Sequence, residues 1–321
     1  MPWASVLGTT SVPVLCYHNL GGNGVPRAAF EAQMRWLAGQ GVRSLTLTQL
    51  ADFIAGNPLD RQQTGPGVLI TFDDGFRDLH TFAGPLLASL GLNAVVFAIN
   101  NRLRPDDQPG REDEIVAHEA HWAFVEHGNR SAWCSAAELA QWAGQGVLEI
   151  GGHSHRHVKG PVSEARHAVN PVNWTHLFWQ QGMMFDSGTR PVHLFPELAP
   201  ELAGPLWLEK ENRLETDEEF SARAEAELTA CRQGLEQAVG CPVTALAWPW
   251  GEWHSISRQA AHRAGFSMAF TLKRGPLAQG ADPMHLPRLE VRKNKGMAWF
   301  KSRLAVYSRR TLARAYNAIR L

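Results

Sequence analysis

Two short motifs in the sequence carry side chains that could bind a metal ion and activate a water molecule. The first places two adjacent carboxylates, Asp73 and Asp74, directly before a glycine at the end of an apolar run. The second is a His-rich stretch in which His153 and His157 are four residues apart. If that stretch forms a helical turn, both imidazoles share one face and can bind a single ion. One carboxylate could then join them as a ligand while the other acts as a base.

Each motif also has an ordinary structural interpretation. Asp73 and Asp74 could cap a helix and begin a turn, since aspartate suits both positions. The His-rich stretch could be a solvated loop. Two carboxylates at the end of a buried strand are nonetheless costly to place there without a partner. One carboxylate and two imidazoles form a ligand set that suits Zn²⁺, and also Co²⁺, Ni²⁺, Fe²⁺ or Mn²⁺, with positions left open for water and substrate.

The segments around the two motifs predict how they are positioned. Apolar runs of strand type alternate with helical patterns, and we predict strands at 12–17, 68–72, 94–99, 147–150, 244–248 and 266–270. This alternation predicts an α/β protein with a parallel sheet or barrel and helices outside it. Both motifs directly follow strands, so both should lie at the carboxyl ends of the sheet, where barrel sites form. Their joint occurrence is therefore more specific than either motif alone.

Residues 71–75 and 153–157 resemble the first two motifs of the polysaccharide deacetylase family, carbohydrate esterase family 4. That family hydrolyses N- or O-acetyl groups on glycans, and the resemblance implies its distorted (β/α)7-type barrel. It implies that Asp73 is the general base. It also implies that Asp74, His153 and His157 hold a divalent metal ion, for which Zn²⁺ is our first expectation.

A third motif, Trp248-Pro249-Trp250-Gly251, resembles the Pro-aromatic-Gly motif of the same family. The resemblance implies that this segment lines the substrate groove and offers a backbone N–H to the oxyanion. Core packing is the alternative for the tryptophans. The family often has an arginine shortly before the proline, as a partner for the catalytic aspartate, and here an Ala-Trp pair stands in that place. Arg288 is our candidate for the missing partner, and we group it with the substrate-binding residues.

The first predicted strand ends at His18, and its sequence resembles the poly-β-1,6-N-acetylglucosamine deacetylase branch of the family. In that branch the order of the motifs is permuted, and the histidine of this strand serves as the general acid. The resemblance thus implies that His18 protonates the leaving amine. His285 competes for this role, because other branches keep their acid at that C-terminal position. A structural histidine that caps the strand is the remaining alternative.

Two segments, about 100–130 and 160–215, interrupt the alternation and are too long for ordinary connections. We predict that they are functional loops or caps at one end of a catalytic barrel formed by residues 1–296. Residues 297–321 should form a basic amphipathic helix. Nine of the chain's 31 basic residues lie in 291–321, and no acidic residue follows Glu290. Such a helix could pack on the acidic body or contact an anionic membrane surface.

Composition narrows the remaining possibilities. The formal net charge is zero, the four cysteines form no dense framework, and no apolar run approaches the roughly 18 residues of a membrane span. The first residues lack the basic region of a secretion signal, so we expect a cytoplasmic or membrane-peripheral protein.

No nucleic-acid motif is present, and the expected substrate is an amino sugar of a glycan or glycan precursor. The alternatives are a hydrolase of another small amide or ester, and a silent glycan-binding or assembly protein.

Overall fold

A computed structural model describes residues 7–57, 66–169, 171–179 and 194–319. The strands are β1 (Val14–Tyr17), β2 (Arg43–Ser44), β3 (Gly67–Asp74), β4 (Ala94–Ala98), β5 (Leu148–Gly152), β6 (Lys159–Ala168), β7 (Leu194–Pro200), β8 (Trp207–Leu208), β9 (Arg213–Leu214), β10 (Ala245–Ala247), β11 (Met268–Phe270) and β12 (Leu289–Glu290). The α-helices are α1 (Arg27–Gly39), α2 (Leu47–Ile54), α3 (Gly84–Ser89), α4 (Ala117–His127), α5 (Ala136–Gly144), α6 (Trp174–Leu177), α7 (Asp217–Val239), α8 (Ser255–Arg263), α9 (Met297–Tyr307) and α10 (Arg310–Ala318).

Seven parallel strands form a curled sheet in the order β11-β10-β5-β4-β3-β1-β12, and β2 pairs with β3. One segment joins its two edges. The Leu286 N–H donates to Ala269 and the Leu286 carbonyl accepts from Thr271, both at 2.8 Å. Three residues later the same segment, as β12, pairs with β1. The predicted α/β fold with a distorted (β/α)7-type barrel is confirmed.

Alternate residues of β3 face two separate hydrophobic cores. Val68, Ile70 and Phe72 belong to the larger core, between the sheet and the outer helices, whereas Leu69 belongs to the smaller core inside the barrel. Asp73 lies an even number of residues from Leu69, so the two-residue period of a strand directs its side chain to the inside. The strand thus delivers a carboxylate to the carboxyl end of the barrel, as the sequence predicted.

Most predicted elements are present, with ends shifted by one to three residues. The sequence Thr-Asp-Glu-Glu at 216–219 predicts a capping box, and the long helix α7 begins with it: the Thr216 and Glu219 side chains accept from each other's backbone N–H groups. The sequence at 79–90 predicts one continuous helix, but the structure has a π-helical turn (Leu79–Ala83) followed by the short α3. Pro85 lies in the first turn of α3 and has no N–H to donate to the preceding turn, so a continuous α-helix cannot form there.

The two predicted insertions contain secondary structure of their own. The first holds a 3₁₀ turn (Asn100–Arg102) and α4, and the second holds α6, the antiparallel pair β6–β7 and the pair β8–β9. The part at 180–193 lies outside the described residues. Arg156 ties the second insertion to the barrel, since its guanidinium lies 2.7 Å from Glu201 and 3.0 Å from Glu227 of α7.

The C-terminal segment forms two helices where the sequence suggested one; residues 320 and 321 lie outside the described residues. The break is at Ser308, whose carbonyl accepts from Ser11 and whose Oγ accepts from the Gly8 N–H. These bonds to the N-terminal segment replace a continuous helical ladder. Helix α9 packs on α1, with the buried Phe300 ring set edge-on against Trp36 at 6.1 Å. Among the described residues, no helix combines the length and apolar composition that a membrane-spanning segment requires.

We predict that this C-terminal docking contributes to the stability of the barrel. Phe300→Ala should lower the free energy of unfolding by about 3–5 kcal/mol, because it removes a fully buried ring and leaves a cavity. The matched control is Leu312→Ala in α10, where the side chain is 47% exposed and the change should stay within about 0.5 kcal/mol. Chemical denaturation followed by circular dichroism measures both. Equal stability of the two variants would show that α9 is not part of the cooperative unit.

Candidate active site and metal centre

Asp73 is held by a buried arginine. The Arg288 guanidinium donates to both carboxylate oxygens, with Nη1–Oδ1 at 2.6 Å and Nη2–Oδ2 at 2.8 Å. Its Nε donates to the Thr271 carbonyl at 3.1 Å, which fixes the plane of the fork. Burial raises the pKa of Asp73, but the charges of Arg288 and His153 lower it, and the net pKa lies below the usual value. Asp73 therefore stays ionised although it is enclosed.

Arg288 occupies this place because it lies on the segment that closes the barrel. Leu286 bonds β11 and Leu289 pairs with β1, so the residue between them can project into the barrel. The predicted pairing with the base is what the geometry shows. The Arg288 side chain is 0% exposed and its charge is committed to Asp73, so the further predicted contact of Arg288 with substrate would require the side chain to become accessible.

Asp74 points to a different set of partners. It has φ = 69°, a left-handed conformation that turns its side chain away from the alternation of the strand. Its Oδ1 lies 3.7 Å from His153 Nε2 and 3.9 Å from His157 Nε2. One ligand atom from each of the three buried residues falls within 4.8 Å of the others. The two adjacent carboxylates thus share one end of the barrel. His153 lies near both of them, whereas Arg288 pairs with Asp73 and His157 with Asp74.

The donor chemistry of these three residues fits a divalent cation. His153 Nδ1 lies 2.8 Å from the Ala247 carbonyl, which can only accept, so the proton is on Nδ1 and the Nε2 lone pair faces Asp74. Asp74 Oδ1 is buried with no hydrogen-bond partner among the described residues. An orphaned carboxylate oxygen beside two imidazole nitrogens is costly unless a cation satisfies it.

Protonation favours the same interpretation. Burial lowers the pKa of His157, and the neighbouring His153 lowers it further, so the ring is neutral and can offer a lone pair. For Asp74, burial raises the pKa, but the interactions with His121, His157 and His18 lower it, and the net pKa lies below the usual value. An ionised carboxylate and neutral imidazoles are the forms that bind metal.

The route by which His153 and His157 converge differs from the prediction. They follow β5 in a tight loop rather than a helical turn, with positive φ at Ser154 (62°) and His157 (52°). Ser154 Oγ accepts from the His157 N–H at 2.8 Å and closes the loop. Two non-glycine residues in the left-handed region indicate local strain, which is characteristic of functional sites.

The two candidate general acids lie in different surroundings. His18, just after β1, places Nε2 3.9 Å from Asp73 Oδ2, and its side chain is 35% exposed. It is the most exposed of the predicted metal and acid–base residues that adjoin Asp73. His285 instead packs against Trp253, with ring centroids 5.1 Å apart, and no ion pair links it to a carboxylate within the described ranges. The geometry places His18, rather than His285, beside the predicted base.

The third motif separates into a core part and a site part. Trp248 is 0% exposed and Pro249 is also buried, so the structure places both in the core. The predicted contact of Trp248 with substrate would require its ring to become accessible. A ring without exposed surface cannot stack on a sugar. Trp250 has φ = 55°, and its half-buried ring lies 4.2 Å from the His157 ring. Trp250 therefore borders the metal centre.

Gly251 enables this turn. It has φ = 74°, and a Cβ at this position would lie 2.5 Å from the Leu272 backbone nitrogen. A larger residue would be strained and would collide with the neighbouring chain. Gly251 therefore contributes through its backbone rather than through a side-chain contact with substrate.

Sequence reasoning missed one histidine at the site. His121, from α4 in the first insertion, is buried and places Nε2 3.7 Å from Asp74 Oδ2. Its ring stacks on Trp174 of α6 with centroids 4.4 Å apart. The only signal was that the insertion is long and His-rich, and that pattern does not distinguish His121 from its exposed neighbours.

Comparisons with known proteins identify the family of this chain. Residues 60–269 match the polysaccharide deacetylase family. The putative polysaccharide deacetylase YxkH of Bacillus subtilis is 34% identical over 104 residues, which is 32% of this chain and 36% of that protein. The poly-beta-1,6-N-acetyl-D-glucosamine N-deacetylase of Escherichia coli K12 is 22% identical over 283 residues, which is 87% of this chain and 35% of that protein. The chain spans about a third of the length of these curated relatives.

Solved structures share the fold. The de-N-acetylase of Aggregatibacter actinomycetemcomitans aligns with a TM-score of 0.66 and 18% identity, over 91% of this chain and 98% of that one. The BpsB deacetylase domain of Bordetella bronchiseptica aligns with a TM-score of 0.63 and 20% identity, over 89% and 97% of the two chains. With the match over residues 60–269, these findings show that the chain belongs to the polysaccharide deacetylase family, as its motifs predicted.

Proposed function

We propose that this protein is a metal-dependent hydrolase that removes N-acetyl or similar acyl groups from an amino sugar of a glycan or glycan precursor. One observation carries the proposal: two adjacent carboxylates have opposite environments. Asp73 is neutralised by Arg288, whereas Asp74 turns an unpartnered oxygen toward two imidazoles. A base and a metal ligand require this division of roles.

Asp74, His153 and His157 would hold the ion. A divalent metal bound there would polarise the acyl carbonyl and lower the pKa of a bound water. Zn²⁺ is our first expectation, and Co²⁺, Ni²⁺, Fe²⁺ and Mn²⁺ also suit one carboxylate with two imidazoles. His153 is already oriented for this by its bond to the Ala247 carbonyl, which is a common outer contact of metal-binding histidines.

Asp73 would accept the proton of the attacking water. Its Oδ2 accepts from Arg288 Nη2 at 2.8 Å and from Cys16 Sγ at 3.6 Å. The same oxygen lies 3.9 Å from both His153 Nε2 and His18 Nε2, so it borders the space between the candidate metal centre and His18. Arg288 keeps the carboxylate ionised and prevents it from rotating toward the metal ligands. The same pairing lowers the basicity of Asp73. Such a base would work best on a water whose pKa a bound metal has already lowered.

His18 would supply the proton that the departing amine requires. An amide nitrogen leaves poorly as an anion, so a general acid beside it lowers the barrier. His18 is close to the base yet partly exposed, so substrate can reach it from solvent. The turn at Trp250 and Gly251 would border the acyl group and offer a backbone N–H to the oxyanion.

The substrate class rests on the relatives. One is named for poly-β-1,6-N-acetyl-D-glucosamine, and this chain aligns with about a third of that protein. The N-acetylated amino sugar in that name is a substrate on which a metal centre with a base and an acid can act.

We predict that substitutions of the two neighbouring carboxylates have different effects on activity and metal binding. Asp73→Asn should reduce kcat for acetate release from N-acetylglucosamine oligomers by about 10²- to 10⁴-fold and keep its metal, because only the base is lost. Asp74→Asn should lose the metal itself. Metal analysis and an acetate assay on both variants measure this. Treating the wild type with a chelator should abolish activity, and Zn²⁺ should restore it.

Two outcomes would contradict this account. Loss of metal in Asp73→Asn with retention in Asp74→Asn would reverse the proposed roles. A metal-loaded wild type that releases no acyl group from any acylated sugar would contradict the proposed substrate class.

We predict that His18 matters most where the leaving group is poor. His18→Ala should lower kcat/KM on an N-acetyl sugar by about 10²- to 10⁴-fold. On p-nitrophenyl acetate, whose phenolate leaves without a proton, the loss should be within about 10-fold. His285→Ala is the matched control and should leave both rates near wild type. Equal losses on both substrates, or a leaving-group effect at His285 instead, would reject His18 as the acid.

A further inference from the structure

A third imidazole reaches the metal centre from outside the family motifs. His121 lies on α4, in the insertion at about 100–130. Its Nε2 is 3.7 Å from Asp74 Oδ2, whereas Asp74 Oδ1 faces His153 and His157. The two oxygens of one carboxylate therefore have different histidines as neighbours.

The surroundings of His121 hold its ring in one orientation. Trp174 of α6 stacks on it at 4.4 Å with an interplanar angle of 12°, and Trp133 and Phe76 contact it edge-on at 5.4 and 5.6 Å. The residue is 4% exposed. An aromatic enclosure of this kind fixes the ring plane.

The hydrogen-bonding capacity of His121 leaves Asp74 as its natural partner. Nδ1 is buried with no hydrogen-bond partner in the described ranges, and Nε2 is directed at Oδ2. A small closing movement would bring Nε2 within hydrogen-bond distance of Oδ2. With Nε2 protonated, the ring donates to the carboxylate and has no lone pair on that side.

His121 is poorly placed to bind the ion directly. The ligand atoms of Asp74, His153 and His157 all lie within 4.8 Å of one another, and His121 is not a member of that group. Its ring centroid is 6.0 Å from that of His157, compared with 4.6 Å between His153 and His157. Its contact is with the far oxygen of the ligand.

We propose that His121 is a positioning residue of the metal centre, which donates from Nε2 to Asp74 Oδ2 and keeps Oδ1 directed at the ion. This inference rests on the metal site of the proposed function. Both insertions thereby contribute to the metal centre, because α4 of the first supplies the donor and α6 of the second supplies the ring that holds it. Groups that orient a ligating side chain typically change metal affinity by about 10- to 100-fold when they are removed.

Two substitutions separate the donor from the packing. His121→Phe keeps an aromatic ring against Trp174 but has no N–H, whereas His121→Gln keeps an amide donor. The matched control is His127→Phe on the same helix, whose side chain is 73% exposed. The full-length apo variants are titrated with Zn²⁺ in competition with a chromophoric chelator, and their Co²⁺ forms are examined by visible absorption.

We expect His121→Phe to raise the Kd for Zn²⁺ by about 10- to 100-fold. His121→Gln should recover most of the affinity, and His127→Phe should match the wild type. The Co²⁺ spectrum of His121→Gln should be unchanged, because the ligand set is the same. Comparable thermal unfolding of the apo proteins shows that folding is not the cause.

Three results would overturn the inference, and each has a different consequence for the proposed function. Equal Zn²⁺ affinity of His121→Phe and wild type would overturn the positioning role alone. A changed Co²⁺ spectrum in His121→Gln would make His121 a direct ligand and also overturn it. A wild type that binds no Zn²⁺ would overturn both this inference and the proposed function.

Discussion

The buried pair of Arg288 and Asp73 is the interaction on which the site depends. Two neighbouring carboxylates at the end of a barrel would otherwise repel each other and compete for one cation. The bidentate arginine removes one of them from that competition. The cost is a charge pair with almost no exposure, and removing one partner of such a pair typically costs about 3–5 kcal/mol. Closure of the barrel by residues 286–290 is what brings the arginine into place.

The two insertions add side chains to the site that the barrel strands form. The barrel supplies Asp73, Asp74 and the loop after β5, all at strand ends. Helices α4 and α6 add His121, whose Nε2 lies 3.7 Å from Asp74 Oδ2, and Trp174, whose ring stacks on that of His121. Among the described residues, the side chains around Asp74 therefore come both from strand ends and from the two insertions.

Sequence patterns predicted those parts of the site that local rules control. Strand ends predict the places of Asp73 and of the His-rich loop. Capping-box sequences, Ser135 with Glu138 and Thr216 with Glu219, mark the first turns of α5 and α7. The patterns did not predict features that depend on contacts between residues far apart in the sequence. Trp248 is buried by contacts that no local motif reveals, and the loop at His153 and His157 uses left-handed residues instead of a helical turn. His121 becomes a neighbour of Asp74 only through the docking of α4, which sequence periodicity does not encode.

The most direct test of the account is a crystal structure of the Zn²⁺-loaded protein with anomalous data at the zinc edge. The account predicts one strong peak bonded to Asp74 Oδ1 and to Nε2 of His153 and His157, with Asp73 still paired to Arg288. A peak coordinated by Asp73, with the arginine displaced, would contradict the division of roles between the two carboxylates. A peak remote from both would contradict the metal centre itself.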